Sequence, residues 1–240
     1  DYPNIKRMID WLEDKEKTRK VKITAMDQQT KIAYAYYQIA NGYVLENYHY
    51  APLKSLNAYK KAMEALRGID TIESSVAEKL VHFQSAQTYV NLGQLDKAEQ
   101  HINSIDKILQ GRKLALEQDR SLMVKAKLLF NQGDYQQALE ILNNELKLEK
   151  QLSKYTVSIT NKVLKSKILN KMGSFQEAYE MLSSLYQGKD NRNNNLNCAA
   201  LIELSLAELG LNKPEVALEH AREAKNLVNL LIQEQGVDKE

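Results

Sequence analysis

The sequence predicts an all-α chain, a solenoid of antiparallel helix pairs, and three observations carry this. A turn phrase recurs four times: NLGQLDKA at 91–98, NQGDYQQA at 131–138, KMGSFQEA at 171–178 and, two residues longer, ELGLNKPEVA at 208–217. Between the phrases, apolar residues return at spacings of three and four, the period of a helix with one buried face. Only 9 Gly and 3 Pro occur in 240 residues, which suits long helices and short turns. Gly93, Gly133, Gly173 and Gly210 stand 40, 40 and 37 apart, and Ala98, Ala138, Ala178 and Ala217 stand 40, 40 and 39 apart. A fixed period of this size means stacked units that bury their apolar faces on one another.

The elements follow in order. Residues 1–22 are expected to form a capping helix, with Ile5, Met8, Ile9 and Leu12 on one stripe before the charged run DKEKTRK. The alternative is an amphipathic partner or dimerisation helix. Residues 23–240 form the array, with units at about 27–68, 71–110, 112–149, 151–187 and 196–234. In the second unit Thr71 caps a helix, and Glu73 sits near its positive end. Val76, Leu80, Phe83, Ala86, Tyr89 and Val90 give that helix its apolar face. Gly93 ends it by taking a left-handed backbone. Asp96 is read as the cap of the next helix, whose stripe is Ala98, Ile102, Ile105 and Leu109. The later units repeat this design, and Pro214 sits in a first helical turn, where its missing N–H costs nothing. Residues 188–197, GKDNRNNNLN, read as a solvated connecting loop.

The four alanines stand one turn into the second helix of each pair, where close approach requires short side chains. Ala138→Leu is therefore expected to lower stability by about 1–3 kcal/mol through overpacking. An unchanged melting temperature would contradict this register.

Composition bounds the function. With 33 basic and 31 acidic residues the net charge is +2, which gives no general argument for nucleic acid or an acidic membrane surface. Cys198 is the only cysteine, so neither an intrachain disulfide nor a cysteine-based zinc site is expected. No apolar run of 18 residues occurs, so the segment is not expected to span a bilayer. The chain begins at Asp1, which reads as a fragment or a processed form. His49, His82, His101 and His220 are scattered among different helices without metal-ligand spacing. No phosphate loop, nucleophile elbow or cysteine–histidine pair is present, so no catalytic residue, cofactor or metal is expected.

Helix, Gly-(Asp)-Tyr/Phe-x-x-Ala, helix resembles the tetratricopeptide repeat (TPR). NQGDYQQALEIL and KMGSFQEAYEML are close to that motif, and ELGLNKPEVALEHAREA follows it well. The resemblance covers roughly 70–233, with 27–66 as a degenerate first unit. There Tyr59 and Ala62 match later family positions, Ser55 replaces the small alanine and the glycine is absent. It implies a right-handed superhelix and a non-catalytic module that binds a protein or peptide segment. The period exceeds the usual 34 or so residues, and about six extra residues add about 9 Å of helix per unit. Such long units are similar to those of kinesin light chain, the maltose-regulon activator, Rap-type regulators and the sensor regions of bacterial diguanylate cyclases and histidine kinases. The reading favoured is therefore the sensor or regulatory part of a larger bacterial signalling protein, extracytoplasmic rather than cytoplasmic. The alternatives are a soluble adaptor, a substrate-recruiting region of an enzyme whose catalytic part lies elsewhere, and a purely structural oligomerisation role.

In the TPR family the first helix of each unit lines a concave groove. Carried onto matching positions, this gives Leu80, Phe83, Gln87, Val90 and Asn91, then Arg120, Met123, Lys127, Phe130 and Asn131, then Thr160, Val163, Lys167, Asn170 and Lys171. The cations beside Asn91, Asn131 and Asn170 are expected to hold a carboxylate or an acidic peptide. The bland alternative is that these lysines are merely solvated. Seven of the 13 tyrosines crowd into 34–59, and Tyr37 and Tyr48 represent an aromatic patch read either as helix packing or as a groove end or homodimer contact.

Overall fold

A computed structural model of the protein describes residues 23–112, 118–152, 155–187 and 194–234. The expected capping helix at 1–22 and the connector residues 188–193 lie outside these. Among the described residues a short 3-10 turn at Ile23–Ala25 precedes ten α-helices, and there is no strand. No described helix is long and apolar enough to cross a membrane. The chain divides into two compact units, 1–131 and 132–240.

The first unit holds α1 (Gln28–Asn47), α2 (Pro52–Leu66), α3 (Ile72–Asn91), α4 (Leu95–Arg112) and all but the last residue of α5 (Gln118–Gln132). Asp27 caps α1, its carboxylate accepting the Thr30 N–H at 2.8 Å. Helices α1 and α2 close on Ala35, Ile39, Tyr59, Ala62, Ala65 and Leu66, with Ala77 and Val81 of α3 completing that core. Thr71 caps α3 as expected, in a capping box with Ser74. Ala98 of α4 is fully buried with Ala86, Val90 and Ile102, and Val124 and Leu128 of α5 join them. Asp96 is not a cap: α4 starts at Leu95, so the carboxylate lies inside the first turn, where it still complements the helix dipole.

The second unit holds α6 (Tyr135–Leu152), α7 (Tyr155–Lys171), α8 (Phe175–Gln187), α9 (Asn194–Gly210) and α10 (Pro214–Glu234). Helix α9 already begins at Asn194, so 194–197 are helical and not loop: as the first turn of α9, their carbonyls accept the N–H groups of the turn that follows. Val163, Leu182 and Leu204 form one core between α7, α8 and α9, and Leu169, Ala178 and Ala207 form the next. Cys198 is buried against Leu201 and Ala224, as a small apolar residue would be. Ala138, Ala178 and Ala217 are as buried as Ala98, so all four repeat alanines sit where the overpacking argument needs them.

One turn geometry recurs. Gly93, Gly133 and Gly173 have φ of 70°, 90° and 78°. After Gly93 the Gln94 N–H bonds the Tyr89 carbonyl, and after Gly173 the Ser174 N–H bonds the Leu169 carbonyl, both at 2.9 Å. These bonds satisfy helix-end carbonyls as in a Schellman turn. Gly210 does not take part. The left-handed residue of the last turn is Asn212, with φ 60°, and Lys213 N–H bonds the Glu208 carbonyl at 2.9 Å. Asn212 stands five residues before Ala217, the offset of Gly93 from Ala98, and asparagine tolerates this conformation. Gly210 is needed for space instead: a Cβ there would lie 2.2 Å from the Phe175 ring. Gly42 serves the first unit in the same way, since its Cβ would meet the Tyr59 ring at 2.2 Å.

Candidate functional site

The positions expected to line a groove divide between the units. Gln87, Asn91, Arg120, Lys127, Phe130 and Asn131 belong to the first, and Lys167, Asn170 and Lys171 to the second. Arg120 lies in α5, but its side chain is outside the described part. Val90 and Val163 are buried in their hairpin cores and line no surface, because the apolar stripe of each first helix faces its partner helix. Gln87, Lys127 and Phe130 are half-buried, while Asn91, Asn131, Lys167 and Lys171 are exposed.

The amides are already engaged by the chain itself. Asn91 donates to Glu46 Oε1 at 3.2 Å, and the Thr88 hydroxyl donates to the other oxygen of that carboxylate. Asn170 donates to the Glu203 carbonyl at 2.8 Å and to its Oε2 at 3.1 Å. Asn131 bonds the Lys127 carbonyl of its own helix at 3.0 Å. Asn91 and Asn170, expected to help hold a ligand carboxylate, thus already donate to Glu46 and Glu203, each on another helix. Glu203 is almost fully buried, and this burial pushes its carboxyl up, against the opposing pull of Asn170, Lys167 and Lys171. An incoming anion at Lys167 and Lys171 would have to share their field with Glu203.

The tyrosine patch is also smaller than expected. Tyr37 is buried, its ring tilted against Tyr34 at 6.1 Å between centroids, so it packs the first hairpin. Tyr48 is exposed, as are Tyr36, Tyr43 and Tyr50. An open cleft of about 370 Å³ lies elsewhere in the first unit, lined by Lys60, Met63, Glu64, Arg67, Gly68 and Glu78, none of them an expected groove residue.

Sequence reasoning missed two further pairs. Read as scattered, His82 and His101 meet across the α3–α4 hairpin with their Nδ1 atoms 2.8 Å apart, and Tyr89 stacks on His101. Their signal was near-equal distance from the Leu92–Gly93 turn. His220 Nδ1 lies 2.8 Å from buried Glu208 Oε2. Glu203 and Glu208 were legible as the two carboxylates in the otherwise apolar run AALIELSLAELG. No group of three or more histidine, cysteine or carboxylate side chains that could hold a metal occurs among the described residues.

Among the solved structures that share this fold are three. The apo form of RapI superposes with a TM-score of 0.60 at 16% identity, over 93% of this chain. The chain spans 59% of the length of RapI. Two structures of the nearly identical TPR-like repeats of a putative kinesin light chain from Podosopora anserina also superpose. One, a point variant of those repeats, has a TM-score of 0.58 over 79% of this chain and 92% of that one. The other has a TM-score of 0.56 over 83% and 95%, and both are 16% identical to this chain. The fold is TPR-like. No protein-family model matches the chain, and no curated protein matches it in sequence.

Proposed function

We propose that this chain is a non-catalytic module that binds a protein or peptide segment, and that it serves as the sensor or regulatory region of a larger bacterial signalling protein. The TPR-like fold supports the first part, since stacked helix pairs offer long polar helix faces for a partner to lie along. The helix pairs α1–α2, α3–α4, α7–α8 and α9–α10 are repeat units of this reading, and the long period supports the regulatory role. The observation that carries it at residue level is the exposed pair Lys167 and Lys171, one turn apart on α7 and flanking Asn170. Their favoured ligand is an acidic or carboxylate-terminated segment that competes with Glu203 for the same cations.

Titrating the chain with acidic peptides tests this. Lys167→Glu combined with Lys171→Glu is expected to weaken binding at least about tenfold, with helical content unchanged. Affinity retained by the double variant would remove the acidic ligand from the proposal.

A further inference from the structure

Two hairpins of the second unit meet through a buried carboxylate. Glu203 stands on α9 beside buried Leu201, Leu204 and Ala207 of its own helix, and is 7% exposed. Helix α7 supplies its partners. Asn170 Nδ2 donates to the Glu203 carbonyl at 2.8 Å and to its Oε2 at 3.1 Å. Lys167 and Lys171, which act on the same carboxylate, flank Asn170 along α7 and are themselves exposed. Burial pushes the carboxyl up, while Asn170 and then the two lysines pull it down. The ionised form of Glu203 therefore depends on a lysine field that solvent, and any dissolved anion, can reach.

A carboxylate held by an amide and attracted by two cations is what an acidic segment would itself present to these lysines. Building on the acidic-segment reading of that site, we propose that Glu203 is an internal competitor for the segment, so that ligand binding at Lys167 and Lys171 and the seating of α9 on α7 oppose each other. A bound anion takes up the lysine field and leaves a buried carboxylate with less compensation, which is costly. The contact weakened in this way joins the α9–α10 pair to the α7–α8 pair. Occupancy of the lysines is thereby passed to the last hairpin. Such coupling is reciprocal: what the ligand takes from the contact, the contact takes from the ligand's affinity.

Titrating the 240-residue chain with a hexaglutamate peptide, and with hexaglutamine as control, tests this. Glu203→Gln should bind hexaglutamate at least about fivefold tighter than the parent, the lower end of ordinary coupling between sites. Hexaglutamine should not distinguish the two proteins. Glutamine keeps the size of the side chain, and its amide can donate to Asn170 Oδ1, which is buried and has no hydrogen-bond partner among the described residues. The fold should therefore hold. Glu203→Ala removes the carboxylate by another route and should act in the same direction. In the parent, saturating hexaglutamate should speed amide hydrogen exchange in α9, and Glu203→Gln should abolish that change. Hexaglutamate binding that is lost with Lys167→Glu and Lys171→Glu, yet no tighter in Glu203→Gln, would overturn the internal competitor and leave the acidic-segment reading standing. Unchanged exchange in α9 of the saturated parent would overturn it too, whatever the variants do. Absence of binding in both the parent and Glu203→Gln would overturn both readings.

Discussion

Tyr59→Ala is expected to lower stability by about 3–5 kcal/mol, the range for removing a large, fully buried aromatic side chain. Tyr59 is 1% exposed and fills the centre of the α1–α2–α3 core with Ala35, Ile39, Ala62 and Leu66. Its ring lies where Gly42 leaves room, so the site cannot collapse around an alanine without moving α1 onto α2. The phenol is held well above its usual range, chiefly by burial and then by the Glu46 charge, so it stays neutral and the cost is one of packing. The converse change makes the coupling measurable. Gly42→Ala places a methyl on the ring and should cost about 1–3 kcal/mol alone. In the Tyr59→Ala background the same methyl fills part of the cavity, so the two changes should be far from additive. Urea denaturation of the four proteins checks this. Additive effects would mean that the ring does not sit in the notch of Gly42.

Acid should unfold the chain through His82 and His101. Two Nδ1 atoms 2.8 Å apart share a single proton, one imidazole donating and the other accepting. Burial first, and then the neighbouring His101, hold His82 down to about 4, and burial holds His101 below its ordinary value. Tyr89 stacks on His101, and Lys97 lies over Tyr89. In the unfolded chain both histidines titrate near 6.5. Below that pH the unfolded chain binds more protons than the folded one. The stability of the pair is thus fully present above about 6.5 and is lost as pH falls toward 4. From His82 alone the loss is about 2–3 kcal/mol. Unfolding free energies at pH 7, 5.5 and 4 should therefore fall steeply, and His82→Gln should flatten the part of the profile below 6.5. An unchanged slope in that variant would show that other groups control acid unfolding.

The site was legible in outline and not in its bonds. Asn91, Asn170, Lys167 and Lys171 could be placed on first helices from the turn phrase alone. That Glu46 and Glu203 would hold the two amides could not, because those bonds join residues 45 and 33 positions apart on different helices. The fourth turn shows the same limit. Aligning on Gly210 put the left-handed residue two positions early, although the alanine spacing of 39 against the glycine spacing of 37 carried the correct register.

By itself the sequence determined the all-α fold, the places where helices end and the alanines on which they cross. Those depend on local backbone freedom and on a periodicity of three and four, both properties of neighbouring residues. Only the tertiary structure decided which polar groups satisfy one another and which glycines leave room for a ring. It also decided which apolar residues stay exposed on α9 and α10. These depend on which helix faces which across a hairpin, and burial makes a wrong partner there costly while the linear order of residues leaves it open.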